Sequence, residues 1–213
     1  MGAIAALRKE YSSQSLLEAH IAAHPVEQFD RWWQQALKSE IVEPNAMTLA
    51  TASSDGMPSA RIVLLKGFNP DGFVFFTNYK SYKGLQLEEN PKACLVFFWK
   101  ELERQVRVVG LVKKITPEES DAYFQSRPVG SQLGAWTSPQ SQVIPDRNWL
   151  DNHYLEIGEQ FKNEPIQRPA YWGGYLVQPV IVEFWQGRPS RLHDRIQYSL
   201  EDNGKWKIER LAP

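Results

Sequence analysis

Cysteine is almost missing from this chain: among 213 residues only Cys94 carries a thiol, which excludes an intrachain disulfide framework. Cys94 lies inside the apolar run 93–99, a setting that predicts a structural thiol and not a reactive one. No stretch approaches the roughly 20 apolar residues that span a bilayer, and residues 1–7, though mildly apolar, are too few for a secretory segment. An excess of charge of either sign is lacking too. With 24 Lys and Arg against 25 Asp and Glu the formal balance is −1, so nothing calls for nucleic acid or an anionic membrane as partner, and any basic site must be local. The four histidines are scattered, and no metal site is expected. His20 and His24 could share a helix face, but Pro25 biases His24 away from helix, and a solvated pair is the expectation. G-x-G-x-x-G, the P-loop and G-x-S-x-G are all absent, which leaves Rossmann dinucleotide binding, P-loop chemistry and a serine nucleophile elbow unsupported. A soluble, cytoplasmic protein in a reducing compartment is the expectation from composition.

What is present reads as many short strands with a few helices. Val26, Phe29, Trp32, Trp33, Ala36 and Leu37 recur at helical spacing, predicting an amphipathic helix over 26–39. Strands follow at 47–52, 60–68 and 73–77, separated by the turn signals Asp55-Gly56 and Asn69-Pro70-Asp71-Gly72. A short helix over 81–89 precedes strands at 93–99 and 105–115. Thr116-Pro117-Glu118-Glu119 is a capping box that starts a helix carrying Tyr123 near its end. Another helix should begin near Asp146, before strands at 171–178 and 180–185 and a last pair flanking Asn203-Gly204. The order argues for one domain over 1–213, mainly β with helices, built as an antiparallel barrel and not from βαβ units.

Three groups of residues could carry chemistry. In RLHDR, an extended strand would put Arg191, His193 and Arg195 on one face, two guanidinium forks around one imidazole, which suits an anionic, proton-exchanging ligand. The plainer alternative is a charged edge, with Asp194 pairing to an arginine. In ERQVRV, Gln105 and Arg107 share a face opposite Val106 and Val108. An amide there could read a heterocycle edge, and an exposed sheet face is the alternative. In YFQSRP, Tyr123 and Arg127 are helix-face neighbours, with Ser131 in a following turn, and together they could hold a phosphate. A helix C-terminus disfavours anions, so side-chain charge would have to dominate. Arg61 and Lys66 fall on opposite faces of an ideal strand unless a bulge lies between them.

Taken in order, RIVLLK (61–66), ERQVRV (103–108), YFQSRP (123–128), SQLGAW (131–136), EFWQG and RLHDR closely resemble the pyridoxamine phosphate oxidase family, from about residue 7 to the last residue. The resemblance implies an FMN-binding split β-barrel and a homodimer with one FMN in each of two interfacial sites. It implies that Arg61, Ile62, Val63, Leu64, Phe76, Thr77, Lys83, Gln105, Gln140, Ser141, Trp185 and Arg195 bind FMN. Lys66, Tyr123, Arg127 and Ser131 would hold the substrate phosphate, and Arg191 and His193 would face the substrate ring. Arg8 and Tyr11 would belong to a mobile segment within 1–20 that closes over the site. The implied reaction oxidises pyridoxamine phosphate or pyridoxine phosphate to pyridoxal phosphate, with O2 as acceptor and hydrogen peroxide as product. Arginine is a poor base, so Arg191 should orient and stabilise charge, and His193 is the better proton acceptor on chemical grounds. One departure stands out. The family commonly reads Ser-Arg-Lys where this chain has Ser81-Tyr82-Lys83, so one cation at the FMN phosphate is missing. The rivals are another split-barrel flavin oxidoreductase and a non-catalytic carrier of flavin or pyridoxal phosphate.

Overall fold

A computed structural model describes residues 10–12 and 14–213. Nine antiparallel strands form one sheet: β1 (Ala46–Ala52), β2 (Pro58–Leu64), β3 (Gly67–Asn69), β4 (Gly72–Asn78), β5 (Lys92–Trp99), β6 (Arg104–Lys114), β7 (Trp172–Gln186), β8 (Asp194–Leu200) and β9 (Trp206–Arg210). The pairing order is β2-β1-β5-β6-β7-β4-β3, with β8 added to β7 and β9 to β8. Its two ends, β2 and β3, are joined by only Leu65 and Lys66, so the sheet has to curl until its edges meet. Leu65 N–H donates to Asn45 O at 2.8 Å on one side, and Lys66 N–H donates to Val74 O at 2.8 Å on the other.

This crossing corrects the expectation of one strand over 60–68. Two residues leave the ladder, the alternation is broken, and Arg61 and Lys66 are freed from opposite-face geometry. The two strands expected at 171–178 and 180–185 are instead one, β7. Its first half pairs with β4 and its second with β8, and a register shift between Val109 and Gly110 of β6 leaves Val180, next to Pro179, without a partner on β6. Pro179 removes one donor, which a bulge tolerates. At the β3–β4 turn Gly72 has φ +147°, and a Cβ there would lie 2.1 Å from Val177 O, so the hairpin requires glycine.

Helix α1 (Pro25–Leu37) lays Val26, Phe29, Trp32 and Ala36 on the barrel. Phe29 is fully buried against Phe68, Phe73 and Phe97, with ring centroids 4.9, 4.9 and 5.1 Å away. Pairs at this spacing contribute roughly 0.5–1.5 kcal/mol each beyond burial. His24 caps α1, its Nδ1 accepting from Val26 N–H at 3.2 Å, and among the described residues no group of three or more His, Cys, Asp or Glu could hold a metal. Cys94 is half-buried, and burial raises its thiol. No described helix is long and apolar enough to cross a membrane.

The remaining helices are α2 (Tyr82–Glu89), α3 (Pro117–Gln125), α4 (Val129–Thr137) and α5 (Arg147–Gln160). The capping box at Thr116 forms as expected: Glu119 N–H donates to Thr116 Oγ1 at 3.2 Å, and Thr116 N–H donates to Glu119 Oε2 at 3.0 Å. Helix α4 was not expected. It places Ser131 in a helical first turn and not in a loop turn.

Candidate active site

Segments far apart in sequence surround a cavity of about 680 Å³. Strand β2 contributes Arg61, Ile62, Val63 and Leu64, and the crossing residue Lys66 stands beside them. Strand β4 contributes Phe76, Thr77 and Asn78, and the first turn of α2 contributes Lys83. Tyr123 comes from α3, Arg127 and Pro128 from just past its end, and Ser131 from the first turn of α4. Gln140 and Trp172, the first residue of β7, complete the wall. Among the described residues the lining holds four cations, Arg61, Lys66, Lys83 and Arg127, and no aspartate or glutamate.

Cations gathered without counter-charge should resist burial, and Arg61, Lys83 and Arg127 do. Burial lowers the Arg61 and Arg127 guanidiniums from their ordinary value, and burial, with the Arg61 charge beside it, pushes the Lys83 ammonium down to about 8. Lys83 Nζ donates to Thr77 Oγ1 and Ser81 Oγ, each at 3.3 Å, and the Thr77 hydroxyl donates to Gln140 Oε1 at 3.3 Å. Arg127 Nη1 is buried with no hydrogen-bond partner, while its guanidinium lies 4.5 Å from the Trp172 ring centroid. An orphaned buried donor costs about 1–3 kcal/mol, more when charged, and a bound anion would remove that penalty. The positive ends of the α2 and α4 dipoles act in the same sense. Phe76 stacks on Tyr123 at 3.9 Å and on Trp172 at 5.5 Å, giving the cavity an aromatic side.

A second group of polar and aromatic residues forms where β6, β7 and β8 run side by side, and none of it lines the cavity. Gln105 pairs with Trp185, and Trp185 with Arg195, so the three form one row across the sheet. His193 packs on Trp185 with centroids 4.6 Å apart, and Tyr11 covers both at 5.8 Å from Trp185 and 6.1 Å from His193. Tyr11 lies against Gly187, where an added Cβ would come within 2.7 Å of the tyrosine. Arg188 N–H donates to His193 Nδ1 at 3.0 Å, which leaves the proton of the neutral ring on Nε2. Burial and the Arg191 charge hold His193 below its ordinary 6.5, so the neutral ring offers a donor, not an acceptor, on its outer nitrogen.

The sequence matches, over residues 33–161, the family model described as pyridoxamine 5'-phosphate oxidase. The chain belongs to the pyridoxamine 5'-phosphate oxidase family. Residues 172–213 also match the model described as the pyridoxine 5'-phosphate oxidase C-terminal dimerisation region. A relative from Acaryochloris marina (strain MBIC 11017), named pyridoxine/pyridoxamine 5'-phosphate oxidase, is 56% identical over 210 residues, 99% of this chain and 95% of its own length. One of the same name from Synechocystis sp. (strain ATCC 27184 / PCC 6803 / Kazusa) is 57% identical over 99% of this chain and 98% of its own length. The crystal structure of PhzG from Burkholderia lata 383, in complex with tetrahydrophenazine-1-carboxylic acid, superposes with a TM-score of 0.88 at 30% identity, covering 95% of this chain and all of that one. A pyridoxamine 5'-phosphate oxidase-related, FMN binding protein from Nostoc punctiforme PCC 73102 superposes with a TM-score of 0.72 at 20% identity, covering 91% of this chain and all of that one, a likeness of fold. The curled antiparallel sheet with helices is thus the split barrel of the pyridoxamine 5'-phosphate oxidase family.

Of the residues that the resemblance to the pyridoxamine 5'-phosphate oxidase family implied, the four from β2, Lys66, Phe76, Thr77, Lys83, Tyr123, Arg127, Ser131 and Gln140 all meet in the cavity. Ser141 does not line it, and stands beside Gln140 with φ +71°. Gln105, Trp185, Arg195, Arg191, His193 and Tyr11 lie with the second group, and Arg8 falls outside the described residues. RLHDR is not one strand. Pro189 opens a short 3-10 turn, and Ser190 and Arg191 take φ of 57° and 61°, so β8 begins only at Asp194. Two consecutive left-handed residues other than glycine hold strain of the kind that gathers at functional turns. Asp194 pairs with Arg210 at 2.8 Å, the pairing to an arginine that the plainer alternative described. Asn78, Pro128 and Trp172 line the cavity unforeseen. Trp172 had a legible signal, an aromatic directly before the Gly173-Gly174 pair, but its stacking partners are remote in sequence.

Proposed function

We propose that this chain uses FMN to oxidise pyridoxamine phosphate and pyridoxine phosphate to pyridoxal phosphate, with O2 reduced to hydrogen peroxide and, for the amine, water taken up and ammonia released. The observation that carries this reading is the acid-free cavity, in which Arg127 Nη1 is buried and unpaired beside an aromatic wall. Cofactor and substrate each bring one phosphate, and the cations divide to match. Arg61 and Lys83, with Thr77 and Gln140 between them, would hold the FMN phosphate, whereas Lys66, Arg127, Tyr123 and Ser131 would hold that of the substrate.

When bound, FMN supplies two-electron acceptor chemistry and reaction with oxygen. The chain's own residues bind, orient and shield. The region matching the dimerisation model contains Trp185, Arg191, His193 and Arg195, which supports a homodimer in which a second copy brings these residues, with Gln105, to the open side of the cavity. Gln105, Trp185 and Arg195 would then contact the flavin, and Arg191 and His193 the substrate ring. Tyr11, which packs on Trp185 and His193, would cover the site. His193, neutral and protonated on Nε2, would donate to an electron-rich oxygen of the substrate, and Arg191 would stabilise negative charge without taking a proton. Anchoring both ligands by their phosphates turns a bimolecular encounter into a positioned one.

The direct test supplies the protein with FMN and pyridoxamine phosphate in air and follows aldehyde and peroxide together. Formation of both in equal amounts is the expected result. A flavin that neither B6 phosphate reduces under anaerobic conditions would overturn the substrate assignment. Reduction by tetrahydrophenazine-1-carboxylic acid instead would move the chain toward the chemistry of its phenazine-bound structural relative.

A further inference from the structure

One carboxylate, Glu183, lies within the second group and has no part in holding either ligand. Glu183, on β7 two residues before Trp185 and on the same face of the sheet, is only 3% exposed. Its Oε1 accepts from Arg195 Nε at 2.8 Å, and its Oε2 accepts from Arg107 Nη2. Burial would raise this carboxyl, but the Arg195 hydrogen bond and the Arg107 charge outweigh it and hold the group below its ordinary range. Residues 211–212 grip the same arginine from the other side. Arg195 Nη1 donates to Ala212 O at 2.8 Å, and Leu211 N–H donates to Arg195 O at 2.9 Å.

A buried ion pair of this kind adds little stability over apolar side chains of similar size, so holding the sheet together does not require it. What it does fix is direction. Arg195 is tied at Nε, at Nη1 and at its own carbonyl, so that Nη2 is the corner without a hydrogen bond among the described residues, in the row that also holds Trp185 and Gln105. We propose that Glu183, seconded by residues 211–212, is a positioning residue that sets the Arg195 guanidinium for contact with bound FMN while touching no ligand itself. This rests on the reading that Arg195 contacts the flavin.

The experiment is a double-mutant cycle on FMN affinity in the full chain, read by quenching of flavin fluorescence, together with the visible absorption of the bound flavin. Arg195→Leu should raise Kd on the order of tenfold or more, Glu183→Gln by a comparable factor, and the double variant by no more than the larger single effect, because the two act as one unit. The absorption bands should move in the same sense in both single variants. Glu183→Gln also leaves two guanidiniums without an anion, so a second variant guards against misfolding. Arg107→Leu/Glu183→Leu removes one charge of each sign, should keep the unfolding midpoint, and should still bind FMN weakly. A Glu183→Gln chain within twofold of the unaltered Kd, factors that multiply in the double variant, or full affinity in Arg107→Leu/Glu183→Leu would each overturn the proposal. If the unaltered chain binds no FMN, the flavin reading itself falls. If it binds FMN and only the Glu183 variants are silent, only this inference falls.

Discussion

Replacing Lys83 with methionine should make the FMN-free protein more stable and the FMN complex weaker, two effects of opposite sign from one side chain. Lys83 is buried, its Nζ meets only hydroxyls among the described residues, and the charge that acts on it is the cation Arg61. The fall from 10.5 to about 8 corresponds to roughly 3 kcal/mol at about 1.36 kcal/mol per unit, which solvent in the open cavity screens to about 1–2 kcal/mol. The sign follows from linkage. Between pH 8 and 10.5 the unfolded chain holds the Lys83 proton more tightly than the folded one, so the penalty is fully present below about 8 and fades as pH rises toward 10.5. Urea unfolding of the FMN-free protein at pH 7 should therefore show Lys83→Met more stable by about 1–2 kcal/mol, with the gap closing near pH 10.5. FMN binding should move the other way, since a lost charge-assisted hydrogen bond contributes about 1.5–3 kcal/mol, or roughly 10- to 150-fold in Kd. A variant less stable by 1 kcal/mol or more at pH 7, or one with unchanged FMN affinity, would show that Lys83 is a structural cation.

Other expectations follow from the same geometry. Arg127→Leu should raise KM for pyridoxamine phosphate by tenfold or more with a smaller change in kcat, because its unpaired Nη1 serves ground-state binding; a fall in kcat at constant KM would contradict this. Tyr82→Arg, at the exposed first residue of α2 next to Lys83, should lower the FMN Kd several-fold by restoring a cation near the phosphate, and a titration showing equal or weaker binding would refute it. Nitrogen-15 NMR should find His193 neutral at pH 7 with its proton on Nε2, titrating below 6.5 and moving upward in Arg191→Ala. Protonation of this group on acidification favours the unfolded chain, so any stability it governs is lost only as pH falls below about 6.5. An Nδ1 tautomer would remove its role as a donor.

The strands and helices were legible where local chemistry decides them: the capping box at Thr116, the Asp146 cap of α5 and the alternation around Gln105 and Arg107 all reappear in the structure. What stayed hidden depends on closure of the sheet. Arg61 and Lys66 share a cavity because two residues leave the ladder to join its edges, and no period within 61–66 reveals that. RLHDR failed as a strand because Ser190 and Arg191 take left-handed backbone, which their side chains do not advertise. Helix α4 lacks a side-chain cap and has a Pro128 N-cap, so it gave no start signal. Glu183 was a missed opportunity: a lone carboxylate inside VIVEFW has to find buried partners, and both turned out to be arginines. The site residues themselves came almost wholly from the order of motifs, since pattern alone favoured exposed sheet faces.

In the proposed dimer, one chain's cation-lined cavity and a second chain's His193 group act on the same B6 phosphate through FMN. The most direct measurement combines two defective chains, Arg127→Leu and His193→Ala, purifies the mixed dimer with FMN, and follows pyridoxal phosphate formation from pyridoxamine phosphate. Assayed at pyridoxamine phosphate well below the KM of the unaltered protein, each homodimer should turn over at about a tenth of the unaltered rate or less. The mixed dimer should recover about half the unaltered rate, because one of its two sites escapes both substitutions; a mixed dimer as slow as its parents would show that the two groups do not share a site.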